Sequence, residues 1–278
     1  MKRKLLFIVY CISFFALNIY CEELKIGIMQ DRHGVAQKYA PLIEYCSAHD
    51  LHIKLIGFKS YKDAAEKFTQ GKIDAMFTGS GVAALLIMKG IAYPLLRPVT
   101  VEGWSTYHAV VIVPKAVKDF KLDRDYLKNK RIICCSLASS GEFFCRTLLG
   151  KNKKLLKAGN HGNAIGALAK KAADVAVVKN LVWYKVKDKY PELKSVAEDY
   201  GENPNNTLMF SSKTPESLAG KVKKILLGLK DDKSENGEKL KKSLSIKGYI
   251  PTTEADFQHT FELLKKAGIT KDFKFNEK

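Results

Sequence analysis

The sequence predicts an α/β fold of two similar lobes, each a mainly parallel sheet flanked by helices. Three observations lead there. Apolar strand patterns alternate with helical ones, the β-α-β-α arrangement that builds parallel sheets. The alternation runs through two separate stretches of the chain. Each stretch ends a strand in a small, polar turn, Thr78–Gly81 in one and Ala138–Gly141 in the other. Ligands of open parallel sheets bind beyond the carboxyl ends of the strands, so the two turns are expected to face each other across a cleft.

The elements follow in order. Leu24 to Met29 alternates as a strand. Val35 to His49 carries Ala36, Tyr39, Ala40, Ile43 and Cys46 at helical spacing. His52 to Phe58 reads as a strand. Tyr61 to Gln70 is a helix closed by Gly71, and Ile73 to Phe77 is the third strand. Val82 to Lys89 is a helix, and Leu95 to Val99 is extended. Tyr107 to Val113 is a strongly apolar strand, followed by a short helix, Leu122 to Asn129, with Asp123 as its cap. The second repeat is strand Arg131–Cys135, hydroxyl turn, helix Phe143–Leu149 and a basic loop, Lys151–Lys157. Helix Ala164–Lys171, strand Ala173–Val178 and helix Val182–Lys189 complete it. Beyond Pro191 and the Gly201–Pro204 punctuation, Leu208 to Ser211 is extended. Pro215 to Leu229 is an amphipathic helix with proline at its first position. A polar loop, Asp231–Gly237, precedes helices Glu238–Ser243 and Phe257–Ala267, and the lysine-rich tail after Gly268 is expected to fray.

The chain has 278 residues. Met1–Lys4 is basic, Leu5–Leu17 apolar and Asn18–Cys21 a processing region, the layout of a secretory leader over 1–21. Thirteen apolar residues, Leu5–Leu17, are too few for an ordinary transmembrane helix. Cys21 is placed either at the cleavage site or as the lipid-bearing first residue of a lipoprotein. The mature protein is therefore expected to be exported, periplasmic or tethered to a membrane through Cys21. The net charge is +18, and loss of Lys2, Arg3 and Lys4 leaves +15. Most of these cations are lysines, which reads as a solvated surface with some attraction for anions. Nucleic-acid readers favour arginine, and no nucleic-acid motif is present, so that class is set aside. No C-x-x-C occurs. Cys135 with Cys145 is the conceivable disulfide, and small buried thiols are the plainer alternative.

The stretch Ser136-Leu137-Ala138-Ser139-Ser140-Gly141-Glu142-Phe143-Phe144 carries the chemistry. A strand-to-helix turn of small hydroxyl residues exposes several backbone N–H groups, and the helix start adds partial positive charge. Such a turn holds an oxyanion without a cationic side chain. Asn160-His161-Gly162-Asn163 opens another helix nearby in sequence. Ser139, Ser140, Gly141 and His161 are the principal candidate ligand contacts. Thr78 and Ser80 are the candidates from the first lobe, with Tyr107 near the hinge. Serine also caps helices without touching ligand, and aromatic residues such as Phe77, Trp104, Trp183 and Tyr184 equally suit a core. Gln30, Asp31, Arg32 and His33 follow the first strand, and Arg32 suits bidentate anion contact. No nucleophile elbow, Walker loop or zinc-binding H-E-x-x-H is present, and no third group orients Ser140 and His161, so the chain is not read as an enzyme. No metal or cofactor is called for.

Several motifs in order resemble the phosphate/phosphite/phosphonate-binding proteins of ABC uptake systems, within the type II periplasmic binding fold. They are Gly71-Lys72-Ile73-Asp74-Ala75, Tyr107–Val113, Leu127-Lys128-Asn129-Lys130-Arg131-Ile132, Ala138-Ser139-Ser140-Gly141, Gly159-Asn160-His161 with Ala173-Asp174-Val175-Ala176, and Lys247–Pro251 with Asp256-Phe257. The resemblance implies a double-crossover hinge, a discontinuous first lobe of 22–108 plus 206–278, and a second lobe of 109–205. It implies that Ser139, Ser140 and His161 bind the oxyanion, with the N–H of Gly141. It implies a monomer that captures a small anionic solute and delivers it to an ABC permease. Ala138 stands where the family's turn carries a third hydroxyl. Val177-Val178-Lys179-Asn180 has no acid to match the carboxylates that hold a ligand amine, so a smaller anion or an uncharged substituent fits at least as well as an aminoalkyl headgroup. The same fold with a sulfonate or cofactor precursor is one alternative. Another is a ligand-sensing subunit for a membrane receptor kinase.

Overall fold

The computed structural model describes residues 23–29 and 34–275. The expected leader, Cys21 and the segment 30–33 with Arg32 lie outside the described residues. The first α/β unit comprises β1 (Leu24–Met29), α1 (Val35–Ser47), β2 (Ile53–Phe58), α2 (Tyr61–Thr69), β3 (Ala75–Thr78), α3 (Ser80–Met88) and β4 (Ala92–Thr100). A short strand, β5 (Thr106–Tyr107), leads to β6 (Ala109–Pro114), α4 (Arg124–Leu127), β7 (Ile132–Cys134), α5 (Ser140–Leu149) and β8 (Leu156–Lys157). Next come α6 (His161–Ala169), β9 (Val175–Lys179), α7 (Asn180–Val186) and β10 (Leu193–Glu198). The chain returns through β11 (Asn203–Pro204) and β12 (Thr207–Ser211) to α8 (Glu216–Gly228), α9 (Glu235–Leu244), β13 (Ile246–Pro251) and α10 (Gln258–Lys266).

Two sheets result. The six-stranded one has the order β13-β4-β12-β3-β1-β2 and the five-stranded one β10-β6-β9-β7-β8. Their centres share one plan: β2-β1-β3 and β8-β7-β9 are both parallel triplets. Neither sheet is purely parallel, however. β12 and β13 run against β4, and β6 runs against β9 and β10. The reason is topological. β6 and β12 are the strands by which the chain enters each sheet from the other, and both insert antiparallel beside a parallel triplet. The predicted strand Tyr107–Val113 is accordingly split at His108: its first residue pairs in β5 with β11, and the rest forms β6.

α3 shows why the two sheets stay together. Its sequence, SGVAALLIM, is apolar almost all round, and Ser80 to Ile87 are buried. A helix without a polar face needs cover on every side. α3 finds it between its own sheet and α5 and α10. The tail expected to fray joins this core. Ile269, Phe273 and Phe275 are buried, and Phe273 meets Phe143 of α5 edge-on at 6.2 Å. Lysines between these apolar residues gave the segment its disordered look. Strands β8, β10 and β13 had no strand signal in the sequence reading. β8 lies in the stretch expected to be a basic loop.

The cysteines follow the plainer reading of small buried thiols. Cys134 Sγ, not Cys135 Sγ, lies 3.9 Å from Cys145 Sγ, because Cys134 points from β7 toward α5. Cys46, Cys134, Cys135 and Cys145 are all free and buried.

The start of α5 is fixed by a buried ionic group. Glu142 has no solvent exposure. Its Oε1 accepts from Arg146 Nη2 at 2.7 Å, and Lys157 Nζ lies 3.5 Å away. Its Oε2 accepts from the backbone N–H of Ala138 at 2.6 Å. Ala138 has φ 60°, a left-handed conformation that costs a non-glycine residue energy, and this hydrogen bond holds it there. Removing one partner of a buried pair leaves an uncompensated charge. Arg146→Met is therefore expected to lower stability by about 3 kcal/mol, softened by the nearby Lys157, and urea unfolding measures it.

Candidate functional site

Between the two sheets lies a cavity of about 360 Å³, within the range of small-molecule sites. Its two walls differ. The five-stranded side contributes Cys135, Ser136, Ala138, Ser139, Ser140, His161, Lys179 and Val182, largely polar. The six-stranded side offers Met29, Tyr39, Phe77, Val82, Leu244, Ile246 and Tyr249, largely apolar, with Lys38 and Thr100. Tyr107, Asn205 and Asn206 of the crossover segments close the floor. No aspartate or glutamate lines it among the described residues.

Local sequence sets each group in place. β7 ends at Cys134, and the chain turns through the left-handed Ala138 into α5. The Ser139 side chain caps α5 by accepting from Glu142 N at 3.2 Å, so its expected capping role is realised. Asn160 caps α6 through Asn163 N at 2.8 Å, which sets His161 at the first helical position. His161 Nδ1 accepts the backbone N–H of Lys179 at 3.2 Å. That contact fixes the ring and leaves the Nε2 side to carry the proton.

The two helix starts meet at Tyr107. Ser140 Oγ donates to the Tyr107 hydroxyl at 2.9 Å, and Ser80 Oγ lies 2.8 Å from the same oxygen. Burial pushes the Tyr107 phenol above its usual range, opposed by the two serine contacts, so it stays a neutral hydroxyl. Ser139, Ser140, His161 and Tyr107 thus share the cavity. Ser80 does not line it and reaches it only through Tyr107. Thr78 is buried outside the lining, with its Oγ1 lacking a hydrogen-bond partner. Gly141 is not among the lining residues: a Cβ there would touch Val177 at 3.3 Å, so its smallness serves helix-to-sheet packing, while its N–H stays with those at the start of α5. Trp104 and Tyr184 are exposed and Trp183 is buried in the core, while Phe77 does reach the cavity.

Two further residues were not singled out from sequence. Ser136 Oγ is buried, lines the cavity and has no partner in the protein, a donor and acceptor left open for ligand. Lys179 ends β9, with Nζ 4.0 Å from the Tyr107 ring centre and donating to Asn205 Oδ1. No carboxylate accompanies it among the described residues. Desolvation pushes its pKa down from 10.5 to about 8. A strand ending in lysine beside a helix start was the available signal, lost among the many surface lysines.

Two sheets joined by paired crossover strands, with a polar cavity between them, define a two-lobed solute-binding fold of the type II periplasmic class. Residues 28–257 match the family described as "ABC transporter, phosphonate, periplasmic substrate-binding protein", and the chain belongs to it. That family is a transport component and not an enzyme; its members capture a small solute outside the cytoplasm for a permease. PhnD1 from Prochlorococcus marinus, solved in complex with methylphosphonate, is 16% identical with TM-score 0.72, over 89% of this chain and 99% of that one. XAC2383 from Xanthomonas citri bound to ATP is 17% identical with TM-score 0.71, over 88% and 96%. The binding protein component of an ABC phosphonate transporter from Pseudomonas aeruginosa is 15% identical with TM-score 0.69, over 87% and 86%. At such identities these structures establish the shared fold alone. No curated protein matches the chain by sequence.

Two predictions follow from this geometry. Gly81 approaches the opposite turn so closely that a Cβ would lie 2.1 Å from Ala138 O. Gly81→Ala is expected to wedge the cleft and weaken ligand binding by at least about tenfold while both sheets stay folded, read by calorimetry and circular dichroism. Lys179 binds more protons unfolded than folded between pH 8 and 10.5, so its burial costs stability below pH 8 and that cost fades as pH rises to 10.5. Lys179→Met is therefore expected to raise the melting temperature of the ligand-free protein at pH 7 and not at pH 10.5. The same variant should lose the wild-type fall in anion affinity above about pH 8, where the ammonium deprotonates.

Proposed function

We propose that this protein captures a phosphorus oxyanion (phosphonate, phosphite or phosphate) for an ABC importer, with the five-stranded side of the cleft holding the anion. The observation that carries this reading is convergence. The α5 turn with its open Ser136 hydroxyl, the His161 ring and the Lys179 ammonium all reach one cavity without a described acid. N–H groups at the α5 start, hydroxyls and a half-buried cation replace the water lost by the anion. Ser139 and Ser140 contribute mainly by setting the turn, each already engaged with a helix N–H or with Tyr107.

The two lobes are 22–108 with 206–278, and 109–205. Ligand docks on the polar lobe, the β5/β11 crossover bends, and the apolar lobe closes over it. The closed surface then presents the solute to the permease. We further propose that the chain acts as a monomer, binds no nucleic acid, and is exported by its 1–21 leader, as a periplasmic protein or a lipoprotein tethered through Cys21. No described helix is long and apolar enough to cross a membrane.

A thermal-shift series with phosphite, phosphate, methylphosphonate, sulfate and taurine tests the ligand class. A ligand at about 100 times its dissociation constant stabilises by about 2.7 kcal/mol. A shift with a phosphorus oxyanion that is lost in His161→Ala and Ser136→Ala is the expected result. A shift with taurine alone, or none in folded, ligand-free protein, overturns the proposal.

A further inference from the structure

Resting on the oxyanion reading above, we infer that the ligand is a phosphonate with an apolar, uncharged substituent larger than methyl. The phosphonate meets the Lys179 side of the cleft, and the substituent lies on the wall formed by Tyr39, Phe77 and Tyr249.

The inference comes from the unequal walls of the cavity. Tyr39 and Phe77 rings lie 5.3 Å apart, and Phe77 and Tyr249 rings 6.3 Å apart, a contiguous aromatic surface. Val82, Leu244 and Ile246 extend it. The tyrosine hydroxyls do not soften it much. Tyr39 OH already accepts from Asn206 Nδ2 at 2.9 Å, and Tyr249 is buried, its phenol pushed well above the usual range by desolvation. An aromatic wall stabilises an alkyl or aryl group by excluding water from both. Among the described residues it offers an ammonium no carboxylate partner.

Charge points the same way. Lys179 and, at the exposed rim, Lys38 line the cavity with no described carboxylate among the lining residues. An anionic phosphonate is drawn in, while a zwitterionic one brings a cation into a field of cations. The cavity of about 360 Å³ has room for a substituent beside the oxyanion.

Propylphosphonate and 2-aminoethylphosphonate have the same chain of heavy atoms and differ in a terminal methyl or ammonium, so they isolate the effect. Calorimetric titration of the wild-type protein at pH 7 would use these two with phosphite, methylphosphonate and phenylphosphonate. The expected order is phosphite, methylphosphonate, then propylphosphonate, tightening about threefold per added methylene. 2-Aminoethylphosphonate is expected at least about 100-fold weaker than propylphosphonate. Leu244→Glu places a carboxylate on the half-buried apolar wall, and is expected to narrow that gap about tenfold or more. If the variant does not fold, the wild-type comparison still decides. Equal or tighter binding of 2-aminoethylphosphonate, or no gain from phosphite to propylphosphonate, overturns the assignment of the substituent and leaves the oxyanion reading standing. No binding of any of the five by folded protein overturns both.

Discussion

The cleft depends on one shared hydroxyl. Tyr107 comes from the crossover strand β5 and stands between Ser80 at the start of α3 and Ser140 at the start of α5. Those helices belong to different sheets. Their starting residues are therefore tied through a single phenol at the hinge rather than to each other. Because burial keeps that phenol neutral, it can donate one hydrogen bond and accept another, and the chain of three oxygens is satisfied without a charge. A glycine, Gly81, is required beside it because the backbone of the opposing turn comes too close for any side chain.

The same economy governs the polar side of the cleft. A buried anion, Glu142, is turned inward, to Arg146, to Lys157 and to the N–H of the left-handed Ala138. The carboxylate thus steadies the turn from behind, with its charge met by Arg146 and Lys157 and kept away from the cavity. In front stand His161 and Lys179, joined by the Lys179 N–H to the imidazole.

The apolar side has a different physical character. It is built from rings and aliphatic side chains on β1, α1, β3, α3, α9 and β13.

Much of this was legible in the sequence. The alternation of strand and helix patterns made both α/β units readable, because a strand buried on both faces is a short apolar run while an amphipathic helix carries a 3.6-residue period. The hydroxyl turn, its cap at Ser139 and the helix start at His161 were readable from residue type and position alone. The tertiary structure determined what lies far apart in the chain. Ser80 and Ser140 share Tyr107 across 27 and 33 residues, and nothing local signals that. Thr78 sits behind the wall, since which side of a turn faces the cleft is set by sheet geometry. The tail residues Phe273 and Phe275 are buried because α5 and α3 need cover. Lys179 was one lysine among many until the fold carried it away from water and away from any described acid. Composition records how many charges a chain has, and only the packed structure determines which of them is desolvated.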